Sequence, residues 1–240
     1  MKKIIRILAV IVLIIVGYLG YLGLVPGVAA VFGSDKPHDL GIQYTTDNYK
    51  TADTKAQVKI ETIDTAATVK KGLVWVGTKN VKNSFSGEEL TAVINTHAPN
   101  WKYFPVTDAQ LKINNDGSAV FSGLLHFDRL AGYSEAMGID YAGIKSVMDN
   151  FKIVPSVLPV YLDGTATVTN GKVNLAVRKA EIGRIGIPES LMTDNKNVIN
   201  DFFSQQISAV PGLSIKSLDF KNGTMNFNGT MPEKVITAKN

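Results

Sequence analysis

The chain has 240 residues, of which 45% are hydrophobic, 25 are basic and 21 are acidic, so its net charge is +4. Lys2, Lys3 and Arg6 are three of the 25 basic residues, which leaves 22 basic against 21 acidic residues in the rest of the chain. This balance argues against a nucleic-acid binder, which needs a clustered basic face. The absence of cysteine excludes disulfides, thiolate chemistry and a lipidated cysteine, so a hydrophobic core must hold the fold together.

The first element in chain order is a long apolar run, since no charged residue occurs from Ile7 to Ser34. A helix of about 20 apolar residues can cross the hydrocarbon layer, and the basic residues before the run predict a cytoplasmic N-terminus. We therefore expect residues 1–33 to form a cytoplasmic flank, a single-pass transmembrane anchor in a bacterial cell membrane, and a spacer. The alternative is a cleaved signal peptide, because Val28-Ala29-Ala30 has the small residues of a cleavage site. The apolar run, however, is longer than the about 7–15 residues of a typical signal peptide.

Residues 34–76 predict a small N-terminal module or stalk outside the cytoplasm. Thr46 is the expected N-cap of a helix that runs to Ala56, because its hydroxyl can accept a hydrogen bond from a free first-turn amide. A short strand is expected over 72–76. The sequence does not indicate what this module does.

Residues 77–240 predict a β-rich extracytoplasmic domain made of three hairpins interleaved with amphipathic helices. Ser86 and Glu89 form a capping box at the start of the first of these helices. The hairpin turns are expected at 115–117, 170–171 and 222–223, which read Asn-Asp-Gly, Asn-Gly and Asn-Gly. The fold class is therefore α+β, with a curved antiparallel sheet of hairpins packed on amphipathic helices behind an N-terminal transmembrane helix.

No motif in the sequence indicates catalytic or metal chemistry. His38, His97 and His126 are far apart, and none lies in a HExxH or HxH pattern. No serine lies in a Gly-x-Ser-x-Gly turn. We therefore expect a protein that is not an enzyme and that uses no cofactor and no metal.

The strongest remaining signal is apolar periodicity in two helical segments, 130–151 and 194–210. In the simplest interpretation both stripes pack fully against the sheet. If the helices and the sheet do not close completely, the same residues line an apolar groove, because methionine and aromatic side chains suit adaptable ligand pockets. The predicted ligand-binding groove consists of Met137, Tyr141, Met148, Phe151, Phe202, Phe203 and Ile207.

Three sequence patterns resemble those of bacterial membrane-anchored proteins. They are the run from Phe85 to Asn95, the segment from Gly171 to Pro188, and the closing segment from Ile215 to Pro232. These patterns are similar to the YpmS-like family and to the mycobacterial phospholipid-binding proteins linked to mannan synthesis. The resemblance implies a sheet wrapped around a long helix, akin to tubular lipid-binding domains, and a role in envelope lipid or glycolipid handling. It implies no catalytic residue.

Together these observations predict a non-catalytic, membrane-tethered binding protein for lipid or another apolar ligand. Its expected partners are the lipid bilayer and an acyl chain or glycolipid, with no nucleic acid. The alternative is an envelope scaffold that docks another membrane protein, whose identity the sequence does not give.

Overall fold

The computed structural model describes residues 2–23, 25, 27–63, 73–142, 145 and 157–238. The helices are α1 (Lys2–Tyr21), α2 (Val28–Phe32), α3 (Thr46–Ala56), α4 (Gly87–His97), α5 (Leu130–Met137), α6 (Glu189–Asp194) and α7 (Lys196–Ser208). The strands are β1 (Lys59–Ile63), β2 (Leu73–Val76), β3 (Lys79–Ser86), β4 (Val106–Ile113), β5 (Ser118–His126), β6 (Val157–Thr169), β7 (Lys172–Ile182), β8 (Ile185–Gly186), β9 (Ser214–Lys221), β10 (Thr224–Met231) and β11 (Lys234–Ala238). Short 3₁₀ turns follow α4 and precede α5.

The main sheet is a curled antiparallel half-barrel with the strand order β3-β10-β9-β6-β5-β4. The long strand β6 pairs with β5 and β7, its last two residues pair with the middle of β9, and β8 pairs with the end of β7. A smaller sheet has the order β1-β11-β2, in which β1 and β11 are parallel. The predicted α+β class with a curved antiparallel sheet is therefore confirmed.

Two of the three predicted turns have the expected geometry. Asn170-Gly171 and Asn222-Gly223 both have positive φ at both positions, which matches the right-handed twist of the strands they join. The third turn differs, because Asn115 and Asp116 do not have positive φ and only Gly117 does, at 87°. The amide of Asn114 instead donates to the carbonyl of Ser118 at 2.8 Å, so a wider loop joins β4 to β5.

The capping box at the start of α4 is confirmed. The Glu89 amide donates to Ser86 Oγ at 3.2 Å, and the Ser86 amide donates to Glu89 Oε2 at 3.0 Å. The N-cap of α3 lies one residue before the predicted Thr46. Thr45 is the N-cap, and its hydroxyl accepts from the amide of Asn48, because Thr45 has the extended backbone that a cap requires.

Two hydrophobic clusters fill the interior. The first joins the main sheet to α3, and its buried members are Ala52, Val81, Phe85, Val168, Ile215 and Phe227. The second lies between α5 and the smaller sheet, and its buried members are Leu73, Trp101, Met137 and Val235. Ala52 of α3 is only 1% exposed. Helix α3, which belongs to the segment predicted as a separate module or stalk, therefore packs on the sheet rather than standing apart from it.

The N-terminal helix α1 exposes its apolar side chains. Leu13 is 70% exposed and Ile14 is 65% exposed. No helix in the described residues is long and apolar enough to cross a membrane. The predicted transmembrane span therefore has no support from this part of the structure.

Candidate functional site

Helix α7 lies against the free edge of β7. Asn200 Oδ1 accepts from the amide of Leu175 at 2.9 Å, and Ser204 Oγ accepts from the amide of Val173 at 3.0 Å. Four residues of a helix rise by about 6 Å, and two residues of a strand rise by about 6.8 Å. The two polar side chains therefore match successive outward-facing amides, and α7 covers an edge that would otherwise remain unpaired.

This placement turns the apolar stripe of α7 away from the sheet. Successive helix residues are about 100° apart around the axis. The apolar residues of α7 therefore lie about 80° to 180° away from the side that faces β7, and they are Val198, Ile199, Phe202 and Phe203. No residue of α7 is buried. Phe203 is 40% exposed and Val198 is 67% exposed. The stripe is thus an apolar surface that the described sheet leaves uncovered.

The predicted groove residues that the structure describes occupy four different environments. Phe202 and Phe203 touch edge to face, with ring centroids 5.5 Å apart. Met137 is buried in the cluster around Trp101, whereas Ile207 packs against the cluster around Phe85. Tyr141 is partly exposed in a short helical turn beyond α5. Met148 and Phe151 lie outside the described residues.

A side-chain contact links α5 to α7. Tyr133 Oη donates to Gln206 Oε1 at 3.2 Å, and burial raises the pKa of Tyr133 above its ordinary value. Val210, just after α7, packs against the cluster that contains Met137. The exposed aromatic pair of α7 and the buried methionine of α5 therefore belong to neighbouring parts of the molecule.

The turn between β7 and β8 holds the end of α1. The amide of Arg184 donates to the carbonyl of Leu22 at 3.1 Å. Gly183 has a φ of +63°, and a Cβ at this position would lie 2.5 Å from the same carbonyl oxygen. Only glycine fits this close approach without strain. Ser34 Oγ adds a bond to the carbonyl of Tyr21 at 2.6 Å.

A charged cluster strengthens this attachment. His38 Nε2 lies 2.7 Å from Glu181 Oε2 and 2.8 Å from Nη1 of Arg184. Lys179 Nζ lies 2.7 Å from the other carboxylate oxygen of Glu181. Burial raises the pKa of Glu181, but the hydrogen bonds from Lys179 and His38 outweigh it and hold that pKa below its ordinary value. The segment after α1 is therefore tied to the β7 end of the sheet.

Exposed apolar residues continue from this attachment point to α7. Helix α7 runs antiparallel to β7, because Asn200 contacts Leu175 and Ser204 contacts Val173. Its first turn therefore points towards the end of β7 that contacts α1. Exposed side chains along this course are Ile185 in β8, Leu191 in α6, and Val198 and Phe203 in α7.

The described residues do not bring groups together for metal chemistry. They contain no cluster of three histidine or acidic side chains that could hold a metal ion. His126 Nε2 instead lies 2.9 Å from the hydroxyl of Thr107, and the ring of His97 packs 5.4 Å from the ring of Tyr49. These two histidines have structural contacts in different parts of the fold.

Comparison with known proteins adds no assignment. No family model matches the chain, and no curated protein or solved structure matches it either. The resemblance to the YpmS-like and phospholipid-binding proteins therefore stays a prediction, and function has to be argued from the geometry of α7 and its surroundings.

Proposed function

We propose that this chain is a membrane-tethered, non-catalytic extracytoplasmic protein that binds a lipid acyl chain or a similar apolar ligand along α7. The observation that carries the proposal is the position of α7 on the edge of the sheet. Its polar residues Asn200 and Ser204 face the strand, so the apolar residues that would normally pack on a sheet remain open. A surface of this kind is a common feature of binding sites.

Burial of an acyl chain against this stripe would contribute favourably to binding. Each buried methylene contributes about 0.8 kcal/mol, so about six methylenes give roughly 5 kcal/mol before the costs of association. The edge-to-face pair of Phe202 and Phe203 offers a wide apolar contact. Val198, which is 67% exposed, extends this contact towards the first turn of α7.

The proposed tether is α1, embedded in the bilayer with the N-terminus in the cytoplasm. This part of the proposal rests on the uncharged sequence from Ile7 to Ser34 and on the exposed aliphatic side chains of α1. The basic residues at positions 2, 3 and 6 favour a cytoplasmic N-terminus. The β7–β8 turn holds the end of α1. The exposed apolar residues that lead from Ile185 to α7 therefore begin beside the proposed membrane surface.

A second candidate is an envelope scaffold that docks another membrane protein on the same stripe. The observation that favours it is the helical spacing of the exposed residues Val198 and Phe203 and the half-buried Phe202, which also suits a partner groove. In this case the stripe would be covered by protein rather than by lipid. The two candidates differ in what is found on α7 in the cell membrane.

The test is photocrosslinking of the full chain in phosphatidylcholine vesicles that contain a palmitic acid analogue with a diazirine group. We expect labelled peptides from α7, and we expect Phe203→Lys to reduce labelling about tenfold, because a charge opposes acyl-chain burial. The matched control is Asn197→Lys, which places the same charge at an exposed position on the polar side of the same helix, in line with Ser204. Circular dichroism checks that both variants fold.

Equal labelling of the wild type, Phe203→Lys and Asn197→Lys would contradict acyl-chain binding at α7. A parallel crosslinking experiment in cells tests the scaffold. A single dominant protein adduct at position 203, together with no lipid adduct in vesicles, would support docking instead.

A further inference from the structure

The face of the main sheet opposite α3 contains two adjacent depressions. Their volumes are about 400 and 440 Å³, and both are lined by Lys82 of β3 and Asn228 of β10. Val81 and Phe227, the neighbours of these residues in sequence, point to the opposite face and into the core. We call the two joined depressions the strand trough. Its lining is polar, unlike the apolar stripe of α7.

Side chains in the strand trough form rows across β3, β10 and β9, and each of the two outer rows contains side chains that are bonded within the protein. In one row, Ser84 Oγ donates to Asn226 Oδ1 at 2.6 Å, and Asn226 Nδ2 donates to Asp219 Oδ1 at 2.8 Å. In the other, Thr230 Oγ1 donates to the carbonyl of Gly212 at 3.0 Å. The hydrogen-bonding groups of the first of these rows are therefore largely used, whereas in the second row Thr230 is the bonded side chain.

The middle row differs from its neighbours. Lys82, Asn228 and Ser217 are paired across the three strands by the backbone register. Within the described chain, their side chains form no hydrogen bond or ion pair with another residue. Asn228 is half-buried. The row thus presents an ammonium group, a carboxamide and a hydroxyl towards the trough, all available for a ligand.

A β-bulge adds a second cation. The pairing register between β10 and β9 shifts after Asn228. Asn228 pairs with Ser217 and Gly229 pairs with Ile215, so Lys216 is an extra residue on the β9 side. Bulges re-aim side chains, and here the two neighbours Lys216 and Ser217 both line the same face. In a regular strand they would point to opposite faces. Asp219, the carboxylate in this lining, is already held by Asn226.

We propose that the strand trough binds an anionic, hydroxyl-rich small molecule, with a sugar phosphate as the representative class. The ammonium groups of Lys82 and Lys216 suit phosphate oxygens. The carboxamide of Asn228 both donates and accepts, as does the hydroxyl of Ser217, so the pair suits sugar hydroxyls. Cavities of this size hold small ligands. The proposal does not depend on lipid binding at α7.

The test is a titration of the ¹⁵N-labelled full chain in neutral detergent micelles with glucose-6-phosphate, inorganic phosphate and glucose, followed by amide chemical shifts. We expect saturable shifts centred on Lys82, Asn228 and Ser217. Glucose-6-phosphate should bind several-fold more tightly than either of the other two probes, because it engages both kinds of group. Added salt should weaken its binding, because salt screens exposed lysines.

Variants locate the site. The double substitution Lys82→Gln and Lys216→Gln should weaken glucose-6-phosphate binding about tenfold. Lys221→Gln, on an exposed lysine of β9 outside the trough lining, should leave it unchanged. Asn228→Ala should reduce the preference for glucose-6-phosphate over phosphate. Equal binding by the wild type and the double variant overturns the site. Equal affinity for glucose-6-phosphate and phosphate overturns the recognition of hydroxyl groups.

Discussion

The side chain of Asn95 in α4 pairs with both main-chain groups of Ala109 in β4, as a neighbouring strand would. Asn95 Nδ2 donates to the carbonyl of Ala109 at 2.7 Å, and the amide of Ala109 donates to Asn95 Oδ1 at 3.0 Å. One helical turn earlier, the hydroxyl of Thr91 accepts from the amide of Leu111 at 2.9 Å. Helix α4 therefore covers the β4 edge of the sheet.

Helices cover two edges of the main sheet, β4 and β7, in the same way. In each case, two polar helix residues four positions apart bind strand amides two positions apart. The pairs are Thr91 and Asn95 on α4, and Asn200 and Ser204 on α7. Unpaired edges are prone to aggregation, so this arrangement protects the half-barrel without closing it. It also explains why apolar residues of α7 remain exposed.

The first prediction concerns the edge at β4. Asn95→Ala should lower the free energy of unfolding by about 2–4 kcal/mol, because it removes both hydrogen bonds to Ala109 and leaves those main-chain groups unpaired. Chemical denaturation measures this change. Amide hydrogen exchange at Ala109 should become faster in the variant, which locates the effect at the strand edge.

Asn100→Ala is the matched control for Asn95→Ala. Its carboxamide donates to the carbonyl of Thr96 at an exposed position and makes no strand contact. We expect it to change the stability by less than about 0.5 kcal/mol. A loss as large as that of Asn95→Ala, or unchanged exchange at Ala109, would contradict the edge role of Asn95.

The sequence predicted those parts of the fold that depend on local residues. The turns at Asn170-Gly171 and Asn222-Gly223 follow from residues that adopt positive φ easily, and the capping box needs only Ser86 and Glu89. The end of α5 is a further local feature, since Gly138 follows Met137 with a φ of 69° that glycine adopts easily. In each of these cases the deciding interaction lies within a few residues.

The edge contacts could not be predicted from the sequence. Thr91 is fully buried, although its polar side chain lies outside the apolar stripe of α4. Hydrophobic periodicity predicts that polar helix residues face solvent. The strand residues that bind Thr91 and Asn200 lie 20 and 25 positions away in the sequence, which such a local pattern does not cover. The predicted groove placed Ile207 beside Phe203 for the same reason. In the structure Ile207 turns towards the core and Phe203 turns away from it.

The strand trough was missed for a different reason. Alternation in β9 predicts that Lys216 and Ser217 lie on opposite faces, whereas the bulge places both in the lining. A bulge depends on the pairing of two strands, and nothing within Ser214–Lys221 alone marks its position. The unbonded middle row becomes visible only when β3, β10 and β9 lie side by side.

The second prediction concerns the attachment of α7. Ser204→Ala should lower the free energy of unfolding by about 1–2 kcal/mol, because the amide of Val173 loses its acceptor. Exchange at Val173 should become faster while exchange in the middle of β6 stays unchanged. The control is Ser208→Ala, since Ser208 donates only to the carbonyl of Ser204 at an exposed position. Unchanged exchange at Val173 in Ser204→Ala, or an equal increase in Ser208→Ala, would contradict a specific role of Ser204 in holding α7.

The third prediction is a loss of stability on acidification that depends on His97. Burial lowers the pKa of His97 below its ordinary value of 6.5, and the nearby charge of Asp53 only partly opposes this effect. Nδ1 of His97 is buried without a hydrogen-bond partner in the described residues. The ring packs on Tyr49, so protonation would place a charge in a site that does not solvate it.

The sign of the pH effect follows from proton uptake. Below about pH 6.5 the unfolded chain binds a proton at this histidine that the folded chain takes up only at lower pH. The stability that His97 contributes is therefore complete above about pH 6.5 and declines as the pH falls through its folded pKa. His126 acts in the same direction, because burial and the charge of Arg129 lower its pKa.

Urea denaturation at a series of pH values between about 8 and about 5 measures this dependence. His97→Gln should make the free energy of unfolding fall less steeply as the pH is lowered. The test compares these slopes, so an effect of the substitution on stability at the highest pH does not alter it. His126→Gln should reduce the slope independently, and the double variant more than either, since the two rings lie in separate contacts. An identical slope in the wild type and His97→Gln would mean that the folded protein accepts the proton at His97 as readily as the unfolded chain does.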